Sequence, residues 1–198
     1  MADAPFSIAV FCGSSTGLGD TYREAARRVG RAIGRDGLGL VYGGGRIGLM
    51  GDLADAALEA GAPVLGVIPE PLTAKELAHG GLTELAIVPG MHERKALMAT
   101  RASAFLMLPG GIGTFEEFFE VLTWAALGIH NKPIGVLNVN GYFDPLLGML
   151  NHAITEKFVR PNHLELILLS DDPEGIVALL PRVEPPPPGP LWVDLAQS

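Results

Sequence analysis

The stretch AFLMLPGGIGTFEEFFEVLTWAAL, residues 104–127, decides the fold. Ala104 to Leu108 is a short, unbroken apolar run bounded by a turn, the mark of a strand buried on both faces. Pro109-Gly110-Gly111-Ile112-Gly113 then turns the chain, and from Thr114 to Leu127 the apolar residues recur at helical spacing. Strand, glycine turn and helix in that order form half of a parallel βαβ unit.

Working outward, the same unit recurs along the chain. Strands are expected at Phe6–Phe11, Leu38–Tyr42, Val64–Ile68, Leu85–Val88, Ile134–Val139 and Leu166–Leu169. Helices are expected at Thr21–Arg35, Gly48–Ala60, His92–Ala102, Pro145–Glu156 and Pro173–Leu180. Alternation of this kind gives a Rossmann-like α/β fold, a doubly wound parallel sheet with helices on both faces. At 198 residues the chain fits one domain, assigned to residues 1–182. Residues 183–198 form a proline-rich tail, where PPPPGP at Pro185–Pro190 reads as extended polyproline II that is disordered or loosely attached.

The formal charge of −8 argues against a surface built to grip nucleic acid or an anionic membrane. Cys12 is the only cysteine, so neither an internal disulfide nor a cysteine-rich zinc site forms, and the expected home is a reducing cytoplasm. The opening MADAPFSIAVFCGSS has no basic region before its apolar run and reads as a strand rather than a signal peptide. No apolar run approaches the ~18 residues needed to cross a bilayer. His92-Glu93-Arg94-Lys95-Ala96 is not a zinc-binding HExxH, and His79, His130, His152 and His163 lack ligand spacing, so no metal is expected.

Glycine makes up 26 of 198 residues, nearly twice the typical ~7%. Eleven of these glycines sit in three turns between a strand and a helix: Gly13 to Gly19, Gly43 to Gly51, and Gly110 to Gly113. Such turns line the ligand crevice of an open α/β sheet, where a bare backbone and a helix N-terminus together hold an anion. Gly43 to Gly48 also matches G-x-G-x-x-G, with Glu70 22 residues past Gly48, the outline of a dinucleotide fingerprint, although it follows the second strand rather than the first. No P-loop motif is present.

Two segments carry charge toward these turns. In the helix after Gly113, Glu116, Glu120 and Thr123 share a face directed away from the core, while Thr114 and Glu117 spell a capping box. In Met91-His92-Glu93-Arg94-Lys95, two cations open a helix against its dipole; they are either a solvated surface pair or answer another demand, such as an anionic ligand or a facing carboxylate.

These residues resemble the Lonely Guy family of cytokinin riboside 5′-monophosphate phosphoribohydrolases, whose P-G-G-x-G-T-x-x-E stands at Pro109–Glu117 and whose M-H-x-R-K stands at Met91–Lys95. FCGSS at Phe11–Ser15, VYGGG at Val41–Gly45, IGLMG at Ile47–Gly51 and LTWAALGIHNKPIGVLNVNGYFDPLL at Leu122–Leu147 extend the likeness over about residues 6–180. The resemblance implies hydrolysis of the N-glycosidic bond of an N6-substituted adenosine 5′-monophosphate, by a homodimer, without cofactor or metal. It places Gly110, Gly111, Ile112, Gly113, Thr114 and Phe115 at the phosphate. Catalysis falls to Arg94 and Glu117, ribose contact to Glu116, and further substrate contacts to Lys95, Glu76 and Thr123, with Ser14 and Gly45 as pocket walls. The roles of Glu116 and Glu117 can be exchanged.

An older label for such chains, lysine decarboxylase, is not favoured, because none of Lys75, Lys95, Lys132 and Lys157 stands in a pyridoxal phosphate context. Two alternatives remain at this stage: a non-catalytic nucleotide-binding or carrier module of the same fold, and a dinucleotide-dependent oxidoreductase built on the Gly43 turn.

Overall fold

The computed structural model describes residues 5–73 and 78–184. Glu76 and the proline-rich run from Pro185 onward lie outside the described residues.

The described strands are β1 (Ser7–Phe11), β2 (Gly39–Tyr42), β3 (Val64–Pro69), β4 (Glu84–Val88), β5 (Ala104–Met107), β6 (Ile134–Leu137) and β7 (Ile167–Ser170). They form one parallel sheet in the order β4-β3-β2-β1-β5-β6-β7. The chain winds outward from β1 to β4, then returns to lay β5 against β1 with Ile8 opposite Ala104 and Phe11 opposite Met107. The winding direction reverses between those two strands, and a crevice opens beyond their carboxyl ends.

Helices α1 (Thr21–Arg35), α2 (Gly48–Glu59), α3 (Met91–Arg101), α4 (Ile112–Ala126), α5 (Asp144–Thr155), α6 (Pro161–Leu164) and α7 (Pro173–Leu179) surround the sheet. Because strand side chains alternate, Ile8 and Val10 join the core under α1, α2 and α7, while Ala9 and Phe11 join the one under α3 and α4. Phe11 stacks on Phe105 of the neighbouring strand at 5.9 Å. Each core covers one face of the sheet, which explains why the central strands read as unbroken apolar runs.

α4 begins two residues earlier than Thr114, the expected start, and the expected capping box is not formed. Gly111 caps the helix without any side-chain bond, and Thr114 falls inside the first turn. The short helix α6 carries too few residues to show a period and was not foreseen.

α1 and α2 approach closely because Gly30 and Gly34 face α2; a Cβ at Gly30 would lie 2.4 Å from the Leu53 carbonyl oxygen. Asp52 of α2 fastens the pair, accepting bonds from Arg23 Nε at 2.8 Å and Arg27 Nη2 at 2.7 Å. Burial pushes the Asp52 carboxyl up, but the two guanidinium groups outweigh it and hold it below the usual carboxylate range. A folded-state pKa lowered in this way adds stability that is complete above the unfolded value of about 4 and is lost as pH falls through the folded value. Asp52→Asn is expected to lower the unfolding free energy at pH 7 by about 1–2 kcal/mol, with the gap from wild type closing as pH falls below the unfolded value of about 4. Urea unfolding at several pH values measures this, and a gap that stays constant over that range would contradict it.

Candidate active site

The helix N-termini that follow the second and third glycine turns differ: the second is covered and the third is open. At the N-terminus of α2, Leu49 N–H donates to the Gly13 carbonyl at 3.0 Å, and a Cβ on Gly48 would lie 2.2 Å from the Ser14 carbonyl carbon. The loop after β1 therefore covers the α2 terminus, and Glu70 lies in an exposed 3-10 turn after β3. That arrangement removes the structural basis of the dinucleotide fingerprint. At the N-terminus of α4, by contrast, Gly111 and Gly113 have no atom within 4 Å of where a Cβ would stand. Free N–H groups and the positive end of the helix dipole face open space there.

That terminus borders a cleft of about 280 Å³ beyond β1 and β5, reached by Ser14, Gly43, Arg94, Thr114, Glu116 and Glu117. Arg94 comes from the first turn of α3 and Glu117 from the second turn of α4; they are 6% and 9% exposed, and Arg94 Nη2 lies 3.9 Å from Glu117 Oε1. Glu117, expected in a capping box with Thr114, instead turns inward to meet Arg94. Glu116, one residue earlier, stays half-exposed and binds Lys95 Nζ, which also bonds Glu120 at 2.9 Å. Burial pulls the Lys95 ammonium down, but those two carboxylates hold it above its ordinary range. Both first-turn cations of α3 are therefore answered by carboxylates of α4.

Gly43 makes this geometry possible. A Cβ at that position would stand 1.9 Å from Arg94 Nη2, so the guanidinium lies across bare backbone at the end of β2. Cys12 also lines the cleft. Burial first, then the charge of Glu117, pushes its thiol far above its usual range against the pull of Arg94, so it stays protonated and is no nucleophile.

The expected residues separate into two groups. Ser14, Arg94, Gly111, Ile112, Gly113, Thr114, Glu116 and Glu117 meet at the cleft. Gly110 supports it from behind: its missing side chain leaves room for Thr114 Oγ1, which a Cβ would meet at 2.1 Å. Lys95 is held beside the cleft by carboxylates rather than lining it. Phe115 packs edge-on against Phe143 at 6.4 Å, Thr123 is exposed farther along α4, and Gly45 is buried and bridges Ala78. Val10, Cys12, Gly13, Gly43, Met50, Leu72 and Met91 complete the cleft wall without having been singled out as site residues. Gly13 and Gly43 carried a usable signal, each as the first glycine after a strand.

Among the described residues, no helix is long and apolar enough to cross a membrane, and no group of three His, Cys, Asp or Glu residues could hold a metal ion.

A family profile described as "Possible lysine decarboxylase" matches residues 50–180. Decarboxylation of an amino acid through pyridoxal phosphate requires a lysine at the cofactor. No described lysine lines the cleft: Lys95 is held by carboxylates, and Lys132 donates to the Ala99 and Ala102 carbonyls at 2.6 and 2.7 Å. The described residues do not fit that group.

By sequence, the chain is 54% identical over 177 residues to a cytokinin riboside 5′-monophosphate phosphoribohydrolase of Rhodococcoides fascians, covering 89% of each. It is 46% identical over 178 residues to one from Arabidopsis thaliana, covering 90% of this chain and 82% of that protein. By structure, it resembles the molybdenum cofactor carrier protein of Chlamydomonas reinhardtii, with a TM-score of 0.68 at 19% identity over 90% of this chain and 97% of the other. It also resembles the molybdenum cofactor binding protein of Rippkaea orientalis, with a TM-score of 0.69 at 18% identity over 92% and 98%. Likeness at those identities concerns the fold alone. The sequence likeness, running along 89–90% of this chain and 82–89% of the two relatives, goes further: this chain belongs to the Lonely Guy family of cytokinin riboside 5′-monophosphate phosphoribohydrolases.

Proposed function

We propose that the chain hydrolyses the N-glycosidic bond of an N6-substituted adenosine 5′-monophosphate, releasing the free base and ribose 5-phosphate. One observation carries this reading: a buried Arg94–Glu117 pair stands in the same cleft as a helix N-terminus with open backbone N–H groups. The names of the relatives from Rhodococcoides fascians and Arabidopsis thaliana support it.

The 5′-phosphate sits on the N–H groups of Gly111 to Thr114, where the α4 dipole favours negative charge. This anchors the ribose beside Glu117. As the C1′–N bond lengthens, positive charge develops on the ribose, and the Glu117 carboxylate stabilises it and orients the attacking water. The water oxygen bonds to C1′, the N-glycosidic bond breaks, and the water proton ends on the base. Arg94 remains charged throughout and holds Glu117 in place while offering donors to the nucleotide. Glu116, tied to Lys95 at the rim, contacts the ribose hydroxyls. Glu76 and Thr123 are further substrate contacts in this reading. A homodimer, on the strength of the family resemblance, and a reducing cytoplasm, on the strength of the single cysteine, complete it.

Base release from a 5′-monophosphate is expected to exceed release from the matching riboside by more than about a hundredfold in kcat/KM, since two or more charge-assisted bonds are lost with the phosphate. Chromatographic assay of both substrates tests this, and equal rates would contradict the phosphate cradle.

A further inference from the structure

The geometry points to Tyr142 as a positioning residue that locks the Gly110–Gly111 peptide with its N–H toward the substrate phosphate. Tyr142 lies after β6, 32 residues from the turn it touches, and its hydroxyl donates to the Gly110 carbonyl oxygen at 2.6 Å. The described residues contain no cis peptide, and in a trans peptide the carbonyl and the following N–H point to opposite sides. Tying the Gly110 carbonyl to Tyr142 therefore aims the Gly111 N–H away from Tyr142.

Two cavities mark the two sides. Tyr142, Gly110, Tyr22 and Leu49 border a chamber of about 310 Å³, whereas Arg94, Glu117 and Gly113 border the cleft, and Gly111 lies on the wall shared by both. A glycine pair leaves this peptide unusually free to rotate, and Gly111 has open space where a side chain would resist a flip. The flipped peptide would turn a carbonyl oxygen toward the phosphate, exchanging a donor for an acceptor at an anion site. The hydroxyl bond prevents that exchange.

Tyr142 is itself held firmly. Its ring meets Tyr22 edge-on at 5.6 Å and Phe143 at 5.0 Å. The preceding turn passes through left-handed Asn140 (φ 53°) and Gly141 (φ 68°), and Asn138 Oδ1 accepts from Phe143 N–H at 2.7 Å. The hydroxyl is thus presented by an ordered turn.

The inference rests on the reading of the cleft as a monophosphate site, and the test separates the two. Tyr142→Phe keeps the ring contacts and removes only the bond. For the variant, the KM for isopentenyladenosine 5′-monophosphate and the inhibition constant of inorganic phosphate are both expected to rise about tenfold. Saturating kcat is expected to stay within about twofold, with the riboside rate and the thermal midpoint unchanged. Wild-type values of KM and of the phosphate inhibition constant would overturn the role of Tyr142, as would a joint fall in kcat and thermal midpoint, which marks a merely structural tyrosine. Should the wild-type protein neither prefer the monophosphate nor be inhibited by phosphate, the functional reading and the inference fall together.

Discussion

Glu117→Gln is expected to lower kcat on an N6-substituted adenosine 5′-monophosphate by more than about a hundredfold, with KM changed only severalfold. The amide keeps the volume of the carboxyl group but loses the charge that meets a developing ribose cation. The phosphate contacts proposed on α4 are untouched, so binding is expected to persist. Some stability is lost as well, because Arg94, 6% exposed, loses a countercharge. The companion variant Glu116→Gln is expected to cost only severalfold, since its carboxylate is half-exposed and bound to Lys95. Steady-state kinetics of the two variants decides between the carboxylates. A wild-type rate for Glu117→Gln, with the large loss at Glu116→Gln, would reverse the assignment.

Gly43→Ala is expected to cost about a hundredfold in kcat/KM although it adds one methyl group outside the reacting residues. That methyl would stand 1.9 Å from Arg94 Nη2 and 3.1 Å from Met50 Sδ, so the guanidinium must leave its place beside Glu117. Gly43 is not among the glycines with positive φ, and alanine is therefore tolerated by the backbone itself. If displacement of Arg94 is the cause, Gly43→Ala and Arg94→Ala are not additive, and the double variant is no slower than the worse single one. Two independent losses that multiply would refute this explanation.

The sheet was legible because each central strand is buried on both faces: AFLM and IGVL leave no alternative to a core strand, although the strand expected at Ile134–Val139 ends at Leu137, where a 3-10 turn follows. Strand order was legible only as a class, since nothing local in β5 says that it returns to lie against β1. At the site, the motifs named α3 and α4, which meet at one cleft, but local spacing does not show how the two helices face each other. Glu117 lies between the outward face and the apolar side of an isolated α4 wheel, and only the approach of α3, carrying Arg94, makes its surroundings an interior. The same approach gives Lys95 to Glu116 and Glu120, a pairing separated by more than 20 residues that no local spacing displays. The glycine excess was visible at once, but which turn remains open depended on what packs against each: the Ser14 backbone fills the space at Gly48, and nothing fills it at Gly113. Tyr142 stood in the sequence only as one residue of the long Leu122–Leu147 match, because its bond to Gly110 spans 32 residues.

Quantifying both products from isopentenyladenosine 5′-monophosphate tests the proposed chemistry most directly. Free base and ribose 5-phosphate are expected in equal amounts, matching the substrate consumed, with the rate falling more than about a hundredfold in Glu117→Gln. Monophosphate that is bound but left intact would contradict hydrolysis, as would inorganic phosphate and riboside as the products.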